Sequence, residues 1–236
     1  MHYDLHVHSC LSPCAEEDMT VNNICQMAMI KGLDLIGISD HNSTKQLPAF
    51  AKAAQRLGIK AVYGCELESS EEVHVLALFN DLDKALSLQP WIDEHMPDIM
   101  NNPDFFGTQL ILNDMDEVIG SEERLLVVSL KATMREIADA VHEHGGKVVL
   151  AHVLHHANAV IDTLGFIPKN FPFDGLEVRK ESQKEAVLAL HPWMKDRKIV
   201  WFRDSDAHQL VAINEAEADN DMDEAVFASF WKEMSL

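Results

Sequence analysis

The chain has 236 residues, 47% hydrophobic and 25% charged, an ordinary globular composition with enough length for a sizeable core. Its 39 acidic and 19 basic residues leave a net charge of −20, which argues against a long nucleic acid as partner, because Lys and Arg contacts to phosphate normally supply that affinity. No apolar run reaches the length of a membrane span, no signal peptide precedes the first strand, and four cysteines do not suggest a disulfide framework; the expectation is a cytoplasmic protein with no membrane partner.

In chain order, strands are predicted at 3–8, 33–39, 60–65, 73–79, 148–152, 175–179 and 199–203. Helices are predicted at 20–31, 45–57, 133–144, 182–191 and 223–232. Gly32, Gly58 and Gly145-Gly146 each follow a predicted helix, as C-terminal caps do. Apolar runs alternating with helical patterns read as repeated β-α units in an α/β fold with a mainly parallel sheet. The rhythm breaks between 82 and 130. There a helical stretch leads to a hairpin at 109–112 and 117–119, turned by Asn113-Asp114-Met115-Asp116. The segment is too short for a core of its own, so it reads as an insertion on a single domain spanning 1–236. Its expected roles are capping a site or mediating self-association into a homo-oligomer.

The chemistry gathers at strand ends. In Asp4-Leu5-His6-Val7-His8 the two histidines alternate, as do Asp206 and His208 in Ser205-Asp206-Ala207-His208, so each pair aims two ligands at one point. Asp40 and His41 follow the second strand, Glu66 and Glu68 the third, His74 lies on the fourth, and His152 ends a later one. In barrels that rim is where active sites are built. Each residue also has a plainer reading: Asp40-His41 as a helix-capping pair, and Glu66 and Glu68 as partly exposed carboxylates. So many charged groups at one rim nevertheless require cations to pair them. Cys25 and Cys65 read as buried thiols, whereas Cys10 and Cys14, close to His8, are either structural thiols or contributors to a metal site. His95, His142 and His144 read as surface residues.

Six motifs taken together resemble the PHP (polymerase and histidinol phosphatase) superfamily: Asp4-Leu5-His6-Val7-His8-Ser9, Ile38-Ser39-Asp40-His41-Asn42, Gly64-Cys65-Glu66-Leu67, Val73-His74-Val75-Leu76, Leu150-Ala151-His152 and Ser205-Asp206-Ala207-His208. The resemblance implies a distorted TIM-like (β/α)7 barrel with two or three divalent metal ions (manganese, zinc or iron) at its rim. Carried over by position, it implies one metal on His6, His8, Glu66 and Asp206. A second would lie on Glu66, His74 and His152, and a third on His41 and His208, with Asp40 orienting an imidazole. Many relatives supply an acid to the third site a few residues after the first His-x-His. Here that stretch is longer, and Cys14, Glu16, Glu17 or Asp18 is the candidate replacement; otherwise only two metals are held firmly.

Metals so placed lower the pKa of water and neutralise a phosphoryl group in transit, which together with the resemblance implies hydrolysis of a phosphate ester. The expected substrate is a small phosphorylated metabolite, a nucleotide or a short oligonucleotide end. His155 or His156 is the candidate proton donor to the leaving oxygen, and Arg179-Lys180 is either a phosphate contact or a solvated basic pair. Two other functions stay open: a C–N hydrolase of amidohydrolase type, against which the placement of Lys131 and Lys147 away from strand ends counts, and a non-catalytic metal-bound scaffold.

Overall fold

The computed structural model describes residues 1–232; residues 233–236, the end of the expected domain, lie outside the described residues. The strands in chain order are β1 (Tyr3–Asp4), β2 (Leu35–His41), β3 (Lys60–Glu68), β4 (His74–Phe79), β5 (Leu110–Leu112), β6 (Val118–Ser121), β7 (Lys147–Leu150), β8 (Gly175–Glu177) and β9 (Val200–Phe202). Seven of them form one curled sheet in the order β1-β2-β3-β4-β7-β8-β9, and β5 pairs with β6 as a separate antiparallel hairpin. The architecture is the distorted TIM-like barrel expected of the PHP type. The longer helices around it are α1 (Val21–Ile30), α2 (Leu47–Leu57), α6 (Met134–Glu143) and α8 (Glu181–Leu190). Between them run the short α3 (Leu82–Ser87), α4 (Gln89–His95), α5 (Pro103–Phe106) and α7 (Val160–Leu164), and α9 (Glu224–Trp231) follows β9.

Local chemistry explains the boundaries. Thr20 caps α1 by accepting from the Asn23 N–H, and Thr133 and Glu136 form a reciprocal capping box on α6. Gly58 ends α2 at φ +77°, where a side chain would be strained. β2 is buried along all seven residues, as a parallel strand covered on both faces must be. Gly37, midway along it, is required by close approach: a Cβ there would lie 2.9 Å from the Leu5 Cα and carbonyl oxygen.

The sheet departs from the expected parallel pattern at β4, which is antiparallel to both β3 and β7. The cause is the connection from Ser69 to Val73, closed by the Ser69 N–H on the Val73 carbonyl. It is a hairpin turn, far too short for a parallel crossover. His74 therefore starts a reversed strand and still reaches the rim where β2 and β3 end.

Two apolar layers result. One lies between sheet and helices and includes Ile24, Phe50, Ile137 and Val141. The other fills the barrel interior with Leu5, Leu35, Val62, Leu76, Leu78 and Phe202, closed below by Met222 and by Phe230 of α9. Alternation continues this inner face upward into polar residues: Ser39 and His41 on β2, Glu66 and Glu68 on β3, His74 on β4. The two ends of the sheet meet above β1 and β9 through a single parallel bridge, Val7 to Ala207, with the His8 N–H on the Ala207 carbonyl at 2.9 Å. Carboxylates complete this seam. Asp204 accepts from the Leu5 N–H at 2.7 Å and Asp4 from the Ser205 N–H at 3.0 Å.

Candidate metal centre

Strand register sets the first neighbours. His41 lies opposite Glu66 across β2 and β3, and Glu68 lies opposite His74 across β3 and β4. The seam brings His6 and His8 to Asp206. Glu66, 1% exposed, is the hub: its carboxylate lies 2.8 Å from His74, 3.1 Å from His152, 3.2 Å from His41, 3.3 Å from His6 and 3.4 Å from His8. Asp206 lies 3.4 Å from His6 and 3.2 Å from His8.

Hydrogen bonding fixes the imidazole tautomers at the centre of this cluster. His6 Nδ1 donates to Glu177 Oε2 at 2.8 Å. The Ser12 hydroxyl gives its proton to Asp40 Oδ1, so it accepts from His8 Nδ1 at 3.1 Å. Both histidines are left with lone pairs on Nε2, and these face each other at 3.2 Å beside the oxygens of Glu66 and Asp206. Four acceptor atoms converge in a buried space with no proton between them. Such a set suits a divalent cation, and the mixture of imidazole and carboxylate is one that zinc, iron and manganese accept.

Without a cation, protons take that place. Burial alone would raise the Glu66 pKa, but His74 and His6 overcome it and hold the carboxyl well below its ordinary value. Burial opposes charge on His74, yet Glu66 and Glu68 push its pKa up to about 9. Towards the mouth the balance reverses: burial and then His8 depress both His41 and His208, the latter to about 4. Backbone strain is concentrated here too, with His152 at φ +25° and Asp206 at φ +53°.

Every sequence-predicted ligand is in this cluster, but the grouping differs in part. His6, His8, Glu66 and Asp206 gather as expected. His74 groups with Glu66 and His41, whereas His152 groups with Asp206 and His156. His41 and His208 meet Cys14 and His8, while Glu16, Glu17 and Asp18 are exposed and outside every group. Asp40 is buried away from the cavity, bonded to Ser9 and Ser12, and reaches His8 through Ser12. Glu68 faces His74 at 3.6 Å and accepts from Ser129 at 2.7 Å. Arg179 reaches Asp206 at 3.2 Å, and His156 lies 3.4 Å from the same carboxylate. His155 is not brought in: it is exposed, and its N–H bonds Asp162. Glu177 was missed by the sequence reading, although its place in the strand at 175–179 put it on the inner face.

The cluster lines a cavity of about 400 Å³ that includes Cys14, Glu68, Val127, His156 and Asn158; among the described residues no lysine lines it. Val127 arrives because Asn42 donates to the carbonyls of Leu126 and Val128, tying the end of the 82–130 segment to the rim.

Fold and cluster define a barrel whose rim carries a buried candidate metal site of His, Glu and Asp residues. A family model described as PHP domain matches residues 4–166, and the chain belongs to the PHP family. Among solved structures, a Bifidobacterium adolescentis protein assigned provisionally as a metal-dependent phosphoesterase shares the fold. It has a TM-score of 0.60 and 17% identity, covering 97% of this chain and 94% of that one. The lesion-specific endonuclease Q of Pyrococcus furiosus has a TM-score of 0.61 and 22% identity, over 89% of this chain and 48% of that one. The phosphoribosyl 1,2-cyclic phosphate 1,2-diphosphodiesterase of Eggerthella lenta is 31% identical over 80 residues, 32% of this chain and 29% of that protein. Matches to the curated relatives span 12%, 29% and 60% of their lengths. No helix among the described residues is long and apolar enough to cross a membrane.

Proposed function

We propose that the protein is a metal-dependent phosphoesterase that hydrolyses a small phosphorylated metabolite, a nucleotide or a short oligonucleotide end. The observation that carries this reading is the convergence of His6 Nε2, His8 Nε2, Glu66 and Asp206 as facing acceptors. His6, His8, Glu66 and Asp206 would hold one divalent ion; Glu66 with His74 and His152 would hold a second. Ions there supply a lowered pKa for water and charge neutralisation on the phosphoryl oxygens.

The chain's own residues do the rest. Glu177 and the Asp40–Ser12 pair hold His6 and His8 in the tautomer that presents Nε2. Glu68 orients His74. Arg179, 44% exposed yet in reach of Asp206, is free to turn its guanidinium to a phosphate oxygen. Burial and then His152 lower the pKa of His156, and its Nδ1 donates to the Ala157 carbonyl at 2.9 Å, which leaves Nε2 as an acceptor. That favours a role in drawing the proton from water over the donor role suggested by the sequence.

The net charge of −20 and the small cavity favour small substrates over a duplex. The four free cysteines accord with a cytoplasmic location. The test is release of nitrophenol from mono- and diester substrates with manganese or zinc, followed by a panel of nucleotides, short oligonucleotides and an abasic duplex of the kind bound by endonuclease Q. Chelation and His41→Ala should each abolish turnover. Activity surviving both overturns the assignment, and preferred turnover of the duplex overturns the small-substrate reading.

A further inference from the structure

The loop between Ser9 and Thr20 is held more firmly than its length suggests. Leu11 and Met19 are fully buried at its two ends, and the Cys10 N–H bonds the Met19 carbonyl at 2.9 Å. A turn closes from Ser12 to Ala15. The next residue, Glu16, donates its N–H to the His208 carbonyl at 2.9 Å. This last bond pins the loop to the far end of the chain and sets Cys14 in the cavity wall beside His208. Cys14, His41, His208 and His8 offer ligand atoms that all lie within 4.8 Å of one another.

The lone pairs can be assigned. His208 Nδ1 donates to the Asp206 carbonyl at 2.9 Å, which leaves Nε2 as its acceptor. His41, 7% exposed, turns Nδ1 towards Glu66 at 3.2 Å, so Nε2 is the nitrogen not committed to that carboxylate. His8 has a single lone pair, and it is directed at His6, Glu66 and Asp206. One nitrogen lone pair binds one metal, so His8 belongs to that group and stacks against His208 as a wall, with ring centroids 4.3 Å apart. What remains is a thiol and two imidazoles with ligand atoms within 4.8 Å of one another in the cavity wall.

We infer that Cys14, His41 and His208 form a thiolate-bearing metal site, distinct in ligand softness from the imidazole–carboxylate groups beside it, and that it takes a thiophilic divalent ion such as zinc in preference to manganese or magnesium. The inference rests on the metal-centre reading above and goes beyond it: it fixes the ligand set that the sequence leaves open and the class of ion. Three protein ligands of nitrogen and sulfur would suit a zinc ion that keeps its fourth place for water or substrate. Binding turns the thiol into a thiolate and releases its proton to solvent.

The protein's own thiols provide the readout. Cys10, Cys25 and Cys65 are buried and Cys14 is exposed, so limited alkylation of the native protein reports on Cys14. In metal-stripped protein Cys14 should react with iodoacetamide, located by peptide mass spectrometry; with zinc bound the rate should fall at least tenfold, and with manganese it should not. Cobalt-loaded protein should show a thiolate-to-cobalt charge-transfer band that Cys14→Ala removes, and the variant should bind one zinc fewer than the parent. Equal alkylation rates with and without zinc, or a band that persists in Cys14→Ala, would overturn the inference while leaving the other metals in place. A protein that takes up no metal overturns both this site and the wider centre.

Discussion

The two halves of the barrel interior are built from the same strands and obey opposite rules. In the lower half Leu35, Val62, Leu76 and Phe202 pack without polar partners. Along the same inner face of β4, two residues from Leu76, stands His74; two residues beyond Gly64 on β3 stands Glu66. The lower half is stable as it stands, because removing apolar area from water requires no counterpart. The upper half is buried just as deeply, but its acceptors oppose one another until protons or cations intervene. Stability and chemistry are therefore separable along one strand.

The sharpest way to break that comparison is Glu66→Gln, which removes the shared charge of the upper half. It should lose metal and reduce turnover by well over ~100-fold, more than the loss of a residue that merely orients a ligand; metal analysis and steady-state rates check this, and a fully metallated, active variant would refute the role of Glu66. Next is Leu76→Ala in the lower half. It should cost about 2–5 kcal/mol, read from the urea midpoint, while metal stoichiometry stays unchanged. Loss of metal without loss of stability would erase the distinction between the halves.

Glu177→Gln should weaken metal affinity by roughly 10–100-fold, because His6 loses the carboxylate that orients it. A competition titration with a chelator measures it, and an unchanged affinity would remove Glu177 from the centre. The smallest effect is the pH dependence of the metal-free protein. His74 has a folded pKa of about 9 against an ordinary 6.5, so its contribution to stability is complete below pH 6.5 and is lost as pH rises through 9. The melting temperature of stripped protein should fall across that window, with His6 and His8, also raised, acting in the same direction. Metal affinity should rise over the same interval, since the ion takes the place of the protons. A flat profile would show that the upper half does not rely on charged imidazoles.

Much of this was legible in the sequence because both signals are periodic. Alternation put His6 with His8 and Glu66 with Glu68, and glycines such as Gly32 and Gly58 marked where helices end. The reversal of β4 was overlooked although the five-residue connection after Glu68 already excluded a crossover. α7 was missed because five residues are too few to display a helical period. The placing of Cys14, rather than Glu16, Glu17 or Asp18, beside His208 could not be read, since the loop is pinned there by the Glu16 N–H on the His208 carbonyl, between segments almost two hundred residues apart. Glu177 escaped for a different reason: its partner lies at the other end of the chain.

The Val7–Ala207 seam also gives the centre a place in time. On the proposed ligand set, a cation shared by His8 and Asp206 would tie together residues whose separation takes in most of the chain, and loop-closure entropy would make such a tie a late event of folding. During synthesis the chain holds His6, His8 and Glu66 long before Asp206 has been made. Metal capture would thereby be postponed until the barrel has closed, and a filled site would report that the whole chain has found its fold.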